Sequence, residues 1–200
     1  MIDIILAKVK GFILNPVAMF QASGDDATGT VFSYLGALVF FNAVLSAFIA
    51  AITFNAIRAL GFGMWIPVMV FIGVFARGII FTIIAGAWIH LWVYILGGRN
   101  GTMRTMKGFV YGMTPSLLLG WIPVIGPLFA IWSFILNILG IRELAGFSTG
   151  KAALVMIIAI LIPVIIAFVF YFLPLMSSSH VEPQNIMAIP AFSAVIPRLQ

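Results

Sequence analysis

The side chains of this sequence that could do chemistry are few and lie far apart. Arg77 lies inside a long apolar stretch, where an ionisable group is rare and usually functional. His90 ends a stripe of small and polar residues at four-residue spacing on the same stretch, formed with Gly78, Thr82 and Gly86. A snorkelling anchor is the favoured interpretation of Arg77, and a functional charge is the alternative. For His90, helix packing with a local hydrogen bond is favoured over a proton relay.

A second group of small polar side chains lies on other apolar stretches. Its members are Asn42, Ser46, Thr53, Thr114, Ser133 and Asn137. Such side chains commonly hydrogen-bond between membrane helices, which is the favoured interpretation here. In the alternative they line a polar cavity with His90, and Pro115 frees the carbonyl of Tyr111 to face that cavity.

Glu143 is the acidic residue with the most candidate partners. It directly follows Arg142, and it could pair with Lys151, Arg104 or Lys107 after the fourth predicted span. An ion pair that fixes a loop is the favoured interpretation of Glu143.

Catalytic constellations are missing from the sequence. It has no His-Glu-x-x-His, no Gly-x-Ser-x-Gly, no phosphate-binding loop and no pair of carboxylates within one apolar stretch. Without cysteine it can form neither a disulfide nor a thiolate metal site. We therefore predict that the protein is not an enzyme and has no catalytic residue, cofactor or metal ligand.

The composition predicts what kind of element must position these residues. Hydrophobic residues make up 64% of the chain, charged residues 8%, and the mean hydropathy is +1.23. Soluble domains carry roughly a quarter charged residues, so this chain is predicted to be an all-α integral membrane protein. The net charge of +5 is scattered between apolar stretches, which indicates topology and anionic-lipid contact and argues against nucleic-acid binding.

The apolar stretches predict a bundle of five transmembrane helices. The GWIPVIGP segment divides one stretch into two short spans joined by a hairpin, because its prolines and glycines interrupt a helix. In a six-span alternative, Ala59–Ala76 and Gly78–Gly98 are separate spans that turn at Arg77. The five predicted spans are Val31–Ile57, Gly78–Leu96, two spans within Gly108–Gly140, and Ala152–Leu173.

The distribution of Lys and Arg favours five spans over six. With five spans and a cytoplasmic N-terminus, Arg58 and Arg198 lie outside and Arg77 lies at the membrane. The inner side then holds Lys8, Lys10, Arg99, Arg104, Lys107, Arg142 and Lys151. This agrees with the excess of positive charge in cytoplasmic loops, whereas the six-span arrangement reverses the excess.

Two segments lie outside the predicted spans. Residues 1–30 form a cytoplasmic segment with an apolar stripe at Ile2, Ile5, Leu6, Val9, Phe12 and Ile13. The stripe predicts an interfacial amphipathic helix with Lys8 and Lys10 near anionic headgroups, and a cytoplasmic cap packed on the bundle is the equal alternative. Residues 31–175 form the transmembrane domain, and the Pro-containing tail of residues 176–200 is predicted to be extended or disordered outside the membrane.

Three short motifs resemble a known family. They are Asn-Pro-x-x-x-Phe at 15–20, Tyr-x-x-Thr-Pro at 111–115, and Gly-Ile-x-Glu-x-x-Gly-x-Ser-x-x-Lys-Ala at 140–152. In order and spacing they resemble the Yip family of Ypt/Rab-interacting membrane proteins. The resemblance implies five transmembrane helices, a cytoplasmic N-terminus and an outward C-terminus.

The chain departs from the eukaryotic members of that family. It lacks their Asp-Leu-Tyr-Gly-Pro motif and their long polar N-terminal region, so small GTPase binding is doubtful. It looks more like the compact prokaryotic members, which implies the prokaryotic cytoplasmic membrane as its location.

The predicted function is that of a non-enzymatic membrane organiser or adaptor. Its partners would be the lipid bilayer and other membrane proteins, with a homo-oligomer also allowed. The alternative is a small permease, channel or lipid-moving protein with a polar path through Asn42, His90 and Asn137. A dry bundle interior would favour the organiser, and a continuous polar path would favour transport.

Overall fold

The computed structural model describes residues 2–53, 63 and 65–173, and within this part of the chain the secondary structure is helical, with no β-strand. Eight α-helices lie in these described ranges. They are α1 (Ile2–Leu14), α2 (Pro16–Ala22), α3 (Thr28–Thr53), α4 (Ile66–Ile95), α5 (Thr102–Gly112), α6 (Thr114–Leu119), α7 (Gly126–Ala145) and α8 (Thr149–Ala167). A π-helical segment, Phe168–Phe172, follows α8.

Four helical segments are long and apolar enough to cross a membrane. They are Thr28–Thr53, Ile66–Ile95, Gly126–Ala145 and Thr149–Phe172. Their number and apolarity agree with the prediction of an all-α integral membrane protein. The remaining predicted span is divided between α5 and α6, and neither helix alone has the length of a span.

The second long helix is continuous through Arg77. α4 runs for 30 residues without a turn at Arg77 or Gly78, so the six-span alternative, which needs a turn there, is wrong. A proline in the first turn of α4 is tolerated because the first N–H groups of a helix have no partner within it.

The predicted hairpin at GWIPVIGP is confirmed. α6 ends at Leu119, α7 begins at Gly126, and the Gly126 N–H donates to the Ile122 carbonyl at 2.7 Å. A methyl group on Gly126 would lie 2.8 Å from the carbonyl oxygen of Gly120. Only glycine allows the two ends of this turn to approach so closely.

The N-terminal segment forms two helices, α1 and α2, that are separated at Asn15-Pro16. Ile5, Val9 and Phe12 of α1 pack into the first hydrophobic core, and Phe12 is fully buried there. The position predicted for Lys8 is wrong, because its side chain turns towards Ser23 and Asp26 and is only 9% exposed. Ion pairing within the protein replaces the headgroup contact expected from helix periodicity.

Close backbone contact joins α5 to α7. A methyl group on Gly140 would lie 2.8 Å from the Gly108 carbonyl oxygen and equally close to the Phe20 ring. Small residues let membrane helices approach in this way, so main-chain atoms meet where side chains would otherwise separate them. Phe20 of α2 packs over this crossing.

The end of α7 is set by Gly146, whose φ of +69° is a left-handed conformation that favours glycine. Its N–H donates to the Arg142 carbonyl and closes the helix. α8 then begins at Thr149, where the Lys151 N–H approaches the Ser148 hydroxyl at 3.4 Å.

The chain divides into two compact units, Met1–Ala159 and Ile160–Gln200. In the second unit, the described residues continue α8 past Pro163 and enter the π-helical segment, where the rings of Phe168 and Phe172 stack with centroids 5.0 Å apart. The prediction for the tail of residues 176–200 lies outside the described residues, as does residue 57, the predicted end of the first span.

Candidate functional site

A buried polar cluster lies where the N-terminal segment meets α5. Nζ of Lys8 donates to Oδ2 of Asp26 at 2.6 Å and to Oγ of Ser23 at 2.9 Å, and the Tyr111 hydroxyl donates to the same Asp26 oxygen. We call Lys8, Ser23, Asp26 and Tyr111 the Asp26 cluster. Burial raises the pKa of Asp26, but hydrogen bonds from Lys8 and Tyr111 outweigh it and hold the pKa below its usual value. The carboxylate is therefore charged at neutral pH.

A second lysine holds the same loop. Nζ of Lys107, on α5, donates to the carbonyl of Gly24 at 2.7 Å, and Lys107 is almost fully buried. Arg104, one turn earlier, approaches Asp25 at 3.6 Å in an exposed pair. The loop between α2 and α3 is thus held by cations from both α1 and α5.

Aromatic rings extend the Asp26 cluster into the bundle. Phe12 stacks on Tyr111 with centroids 4.6 Å apart, and Tyr34 of α3 meets Tyr111 edge-on at 5.2 Å. The Tyr34 hydroxyl shares a hydrogen bond of 2.8 Å with Thr114 Oγ1. One contiguous set of contacts therefore links α1, α3, α5 and α6.

In the alternative interpretation, Pro115 frees the Tyr111 carbonyl to face a polar cavity, and the structure contradicts this detail. Thr114 Oγ1 donates to the Tyr111 carbonyl at 2.6 Å, so that carbonyl is satisfied next to the helix break and does not face a polar cavity. Pro115 is buried at the start of α6, where its missing N–H costs no helical hydrogen bond.

The stripe on α4 packs against neighbouring helices, as predicted. A methyl group on Gly78 would lie 2.7 Å from Val39, and one on Gly86 would lie 2.5 Å from the sulfur of Met106. His90 Nδ1 forms a 3.0 Å hydrogen bond with the Thr105 hydroxyl. The histidine therefore links α4 to α5.

The two polar residues predicted on the fourth span face α5 and α6. Ser133 accepts a hydrogen bond of 2.9 Å from the Ser116 N–H. Asn137 is buried directly over Gly112, and its Oδ1 accepts no hydrogen bond from the described residues. Both residues lie at helix contacts.

The expected partners of Glu143 are wrong. Its Oε1 pairs with the neighbouring Arg142 at 2.6 Å, and its Oε2 accepts a hydrogen bond of 2.8 Å from Gln21 of α2. Lys151 instead lies over the ring of Phe147 at 5.1 Å. Glu143 thus joins α2 to the end of α7, where the sequence predicted an ion pair that fixes a loop.

Arg77 and Asn42 line a half-open cavity of about 400 Å³ between α3, α4, α6 and α7. Nδ2 of Asn42 donates to the Leu117 carbonyl at 2.9 Å. Arg77 is exposed and has no hydrogen-bond or acidic partner among the described residues. The lining includes Thr82 and Ser116 but neither His90 nor Asn137, so the cavity does not join the three residues of the predicted polar path.

Most described cations lie at one end of the bundle, where α3, α5 and α8 begin and α4 and α7 end. Contacts across this end include Asn100 with the Leu144 carbonyl and Lys107 with the Gly24 carbonyl. We call it the basic end, and its cations are Lys8, Arg99, Arg104, Lys107, Arg142 and Lys151. No group of three His, Asp or Glu side chains in the described ranges is arranged to hold a metal ion.

Comparison with family models gives one decisive result. The Yip1 domain model matches residues 10–171 of the 200-residue chain. The protein belongs to the Yip1 domain family. The family predicted from the three short motifs is therefore confirmed, and with it the assignment as a multi-pass membrane protein. The comparisons with curated proteins and with solved structures gave no significant match.

The three motifs that carry the Yip resemblance are linked through side-chain contacts. Phe20 of the first motif contacts Gly140 of the third. The ring centroid of Phe12 lies 4.9 Å from that of Phe20 and 4.6 Å from that of Tyr111 in the second motif. Sequence reasoning missed Asp26 and Ser23, although one signal was present. A pair of acids, Asp25-Asp26, directly before a span is notable in a chain with five acidic residues.

Proposed function

We propose that this Yip-family protein is a non-enzymatic membrane organiser or adaptor, which binds other membrane proteins and lipids through its outer faces. The observation that carries the proposal is that the internal polar groups hydrogen-bond between helices. His90, Ser133 and Glu143 each join one helix to another. A polar path for a solute would instead need such groups to face a common aqueous space.

The outer faces support the same proposal. Large apolar side chains are exposed along the long helices, for example Phe48 on α3, Met69 and Ile84 on α4, and Leu128 on α7. In a membrane protein these faces meet lipid or another protein's helices. The hydrogen-bonded interior keeps the faces in fixed positions.

We further propose five crossings with the basic end in the cytoplasm. α5 and α6 together extend from Thr102 to Leu119, about 27 Å of helix, which approaches the roughly 30 Å hydrocarbon core. They lead from the basic end to the hairpin, so the broken pair supplies the crossing that neither helix supplies alone. The collected cations suit a cytoplasmic surface.

Single cysteines test this topology, because the chain has none of its own. We expect Arg104→Cys and the 86% exposed Val124→Cys to react with a membrane-impermeant maleimide from opposite sides of sealed membranes. Reaction of both cysteines from the same side would contradict the proposed fifth crossing.

The organiser proposal is tested by photocrosslinking in native membranes. A benzophenone side chain at Phe48, which is 61% exposed, should give the same discrete heteromeric adduct in repeated and reciprocal captures. The control is the same group at the fully buried Leu136, where adducts should remain within the chain. Solute flux in proteoliposomes of the purified protein, without discrete adducts in the membrane, would favour a permease and reject the organiser.

A further inference from the structure

We infer that the cavity beside Arg77 binds the headgroup of an anionic, hydroxyl-bearing phospholipid such as phosphatidylglycerol, with the start of one acyl chain. This deepens the proposed function, because it names one lipid site of the organiser. The inference depends on three properties of the cavity: its uncompensated charge, its mixed lining and its opening towards an apolar helix face.

The charge of Arg77 is uncompensated in the described part of the chain. Three acidic residues in that part of the chain pair with other cations: Asp26 with Lys8, Asp25 with Arg104, and Glu143 with Arg142. Asp3 lies in the first turn of α1. A guanidinium in a membrane needs an anion or water, and phosphate matches its planar donors.

The position of Arg77 distinguishes it from the other described cations. A helix rises about 1.5 Å per residue, so Arg77 lies about 27 Å along α4 from Ile95 at the basic end. It shares its cavity with Gly120 and Pro123 of the hairpin. The anion that it meets must therefore come from the membrane half away from the basic end.

The remaining lining is suited to an amphiphile. Nδ2 of Asn42 is engaged with Leu117, while its Oδ1 accepts no hydrogen bond from the described residues and can accept one from a headgroup hydroxyl. The other walls are mainly apolar, and they include Val39, Val74, Phe81, Leu117 and Ala130. Cavities of this size, with apolar walls and a few polar groups, are typical of small-ligand sites.

The opening indicates that the occupant comes from the bilayer. Ile80 and Ile84, on the same helix as Arg77, are 57% and 63% exposed, and Phe81 of the lining is 55% exposed. A free anion would have to leave water to reach a site on this apolar side of α4. A phospholipid can keep its acyl chains along them while its phosphate meets Arg77.

The test uses the purified full-length chain in phosphatidylcholine vesicles, with or without phosphatidylglycerol that carries a photoactivatable acyl chain. We expect labelling at Phe81 and Ala130, and about tenfold weaker apparent binding in Arg77→Gln, since one charged hydrogen bond is lost. Arg99→Gln is the matched control. Arg99 donates to the Tyr94 carbonyl at the basic end, so its loss should leave cavity labelling unchanged.

A second variant separates the cavity from an ordinary interfacial anchor. Ala130→Phe should fill the cavity and abolish labelling at Phe81 while the Arg77 charge remains, whereas Ala130→Ser should not. Excess inorganic phosphate should fail to compete. Competition by phosphate or equal labelling in Arg77→Gln would each overturn the inference. If labelling fails but the Phe48 adduct persists in Arg77→Gln, only the lipid site is rejected and the organiser stands.

Discussion

The basic end and the hairpin side of the bundle use their polar groups in opposite ways. At the basic end, Lys8 and Tyr111 both donate to Asp26, and Lys107 donates to the Gly24 carbonyl. Beside the hairpin, Arg77 faces a half-open cavity without a partner among the described residues. Charges that are paired inside the protein hold its structure, whereas an unpaired charge at a cavity is available to a ligand.

Packing differs between the α5–α7 crossing and other glycine positions on α3 and α4. At the α5–α7 crossing, the backbones of Gly108 and Gly140 are in contact, and the Phe20 ring packs against Gly140. On α3 and α4, by contrast, Gly36 and Gly73 have open space where a side chain would point. The comparison predicts that substitutions will be costly at the first place and tolerated at the second.

The largest expected effect comes from Gly140→Ala. The added methyl group would meet the Gly108 carbonyl oxygen and the Phe20 ring, so we expect a loss of about 2 kcal/mol of stability. The control Gly36→Ala should be neutral or stabilising by up to about 1 kcal/mol, because alanine favours helix and meets nothing there. Thermal denaturation in detergent measures both. Equal melting temperatures for the two variants would contradict the difference in packing.

Next in size is Asp26→Asn, which removes the charge that Lys8 and Tyr111 bind. A hydrogen-bonded charge of this kind is worth about 2 kcal/mol, so the melting temperature should fall. Asp25→Asn is the matched control, since the Asp25 side chain is 97% exposed and should contribute little. If both variants melted alike, the Asp26 cluster would not stabilise the N-terminal segment.

The same cluster gives a pH dependence with a definite sign. Because the folded pKa of Asp26 lies below its ordinary value of 3.8, its contribution is fully present above that value and is lost as pH falls through the lower folded pKa. Below about pH 4, wild type should therefore lose more stability than Asp26→Asn. Parallel melting curves for wild type and variant across this range would be evidence against a lowered pKa.

A smaller effect is expected at His90. Glutamine keeps a hydrogen-bonding group for Thr105, so His90→Gln should cost less than about 1 kcal/mol. His90→Leu leaves the buried Thr105 hydroxyl without this partner and should cost about 1 to 1.5 kcal/mol. A His90→Gln protein that melts normally but loses its cellular or flux phenotype would favour transport over organisation.

The smallest effect concerns the outer edge of α1. Leu6 is 59% exposed, so Leu6→Gln should change stability by less than about 0.5 kcal/mol. If this edge lies in the membrane interface, the variant should speed maleimide labelling of a cysteine at Ile2, while the control Ala7→Gln should not. An unchanged labelling rate would leave α1 as a cap that contacts only the bundle.

The sequence predicted the helical class, the hairpin, the packing stripe on α4 and the family, because each depends on a local signal. Apolar length, the Pro and Gly pattern of 120–127, and the spacing of Gly78 and Gly86 are all readable along the chain. The start of the second span was placed at Gly78, whereas α4 begins at Ile66. The partners of Lys8, Glu143 and Asp26 were not readable in this way. They depend on which segment folds back onto which. Helix α1 has apolar residues on both its buried and its exposed side, so its periodicity did not show that Lys8 lies among the buried ones.

The Arg77 environment shows the same limit. The sequence showed an unusual charge, but the cavity beside it arises from the meeting of Asn42, Ser116 and the hairpin, which come from separate helices. The contacts of His90 and Asn137, which the alternative placed on a polar path, were unreadable for the same reason, since helical periodicity gives the face of a residue and not the neighbour that covers it.

The Asp26 cluster also sets an order for assembly during synthesis. Asp26 and Tyr111 are separated by 85 residues, and Lys107 is 83 residues beyond Gly24. At about 5–20 residues per second, the ribosome needs about 4 to 17 seconds to make that intervening chain. During that interval Lys8 can already pair with Ser23 and Asp26, but Phe12 lacks the Tyr111 ring that stacks on it in the finished protein. The packing of α1 can therefore be completed only after the middle of the protein has been made.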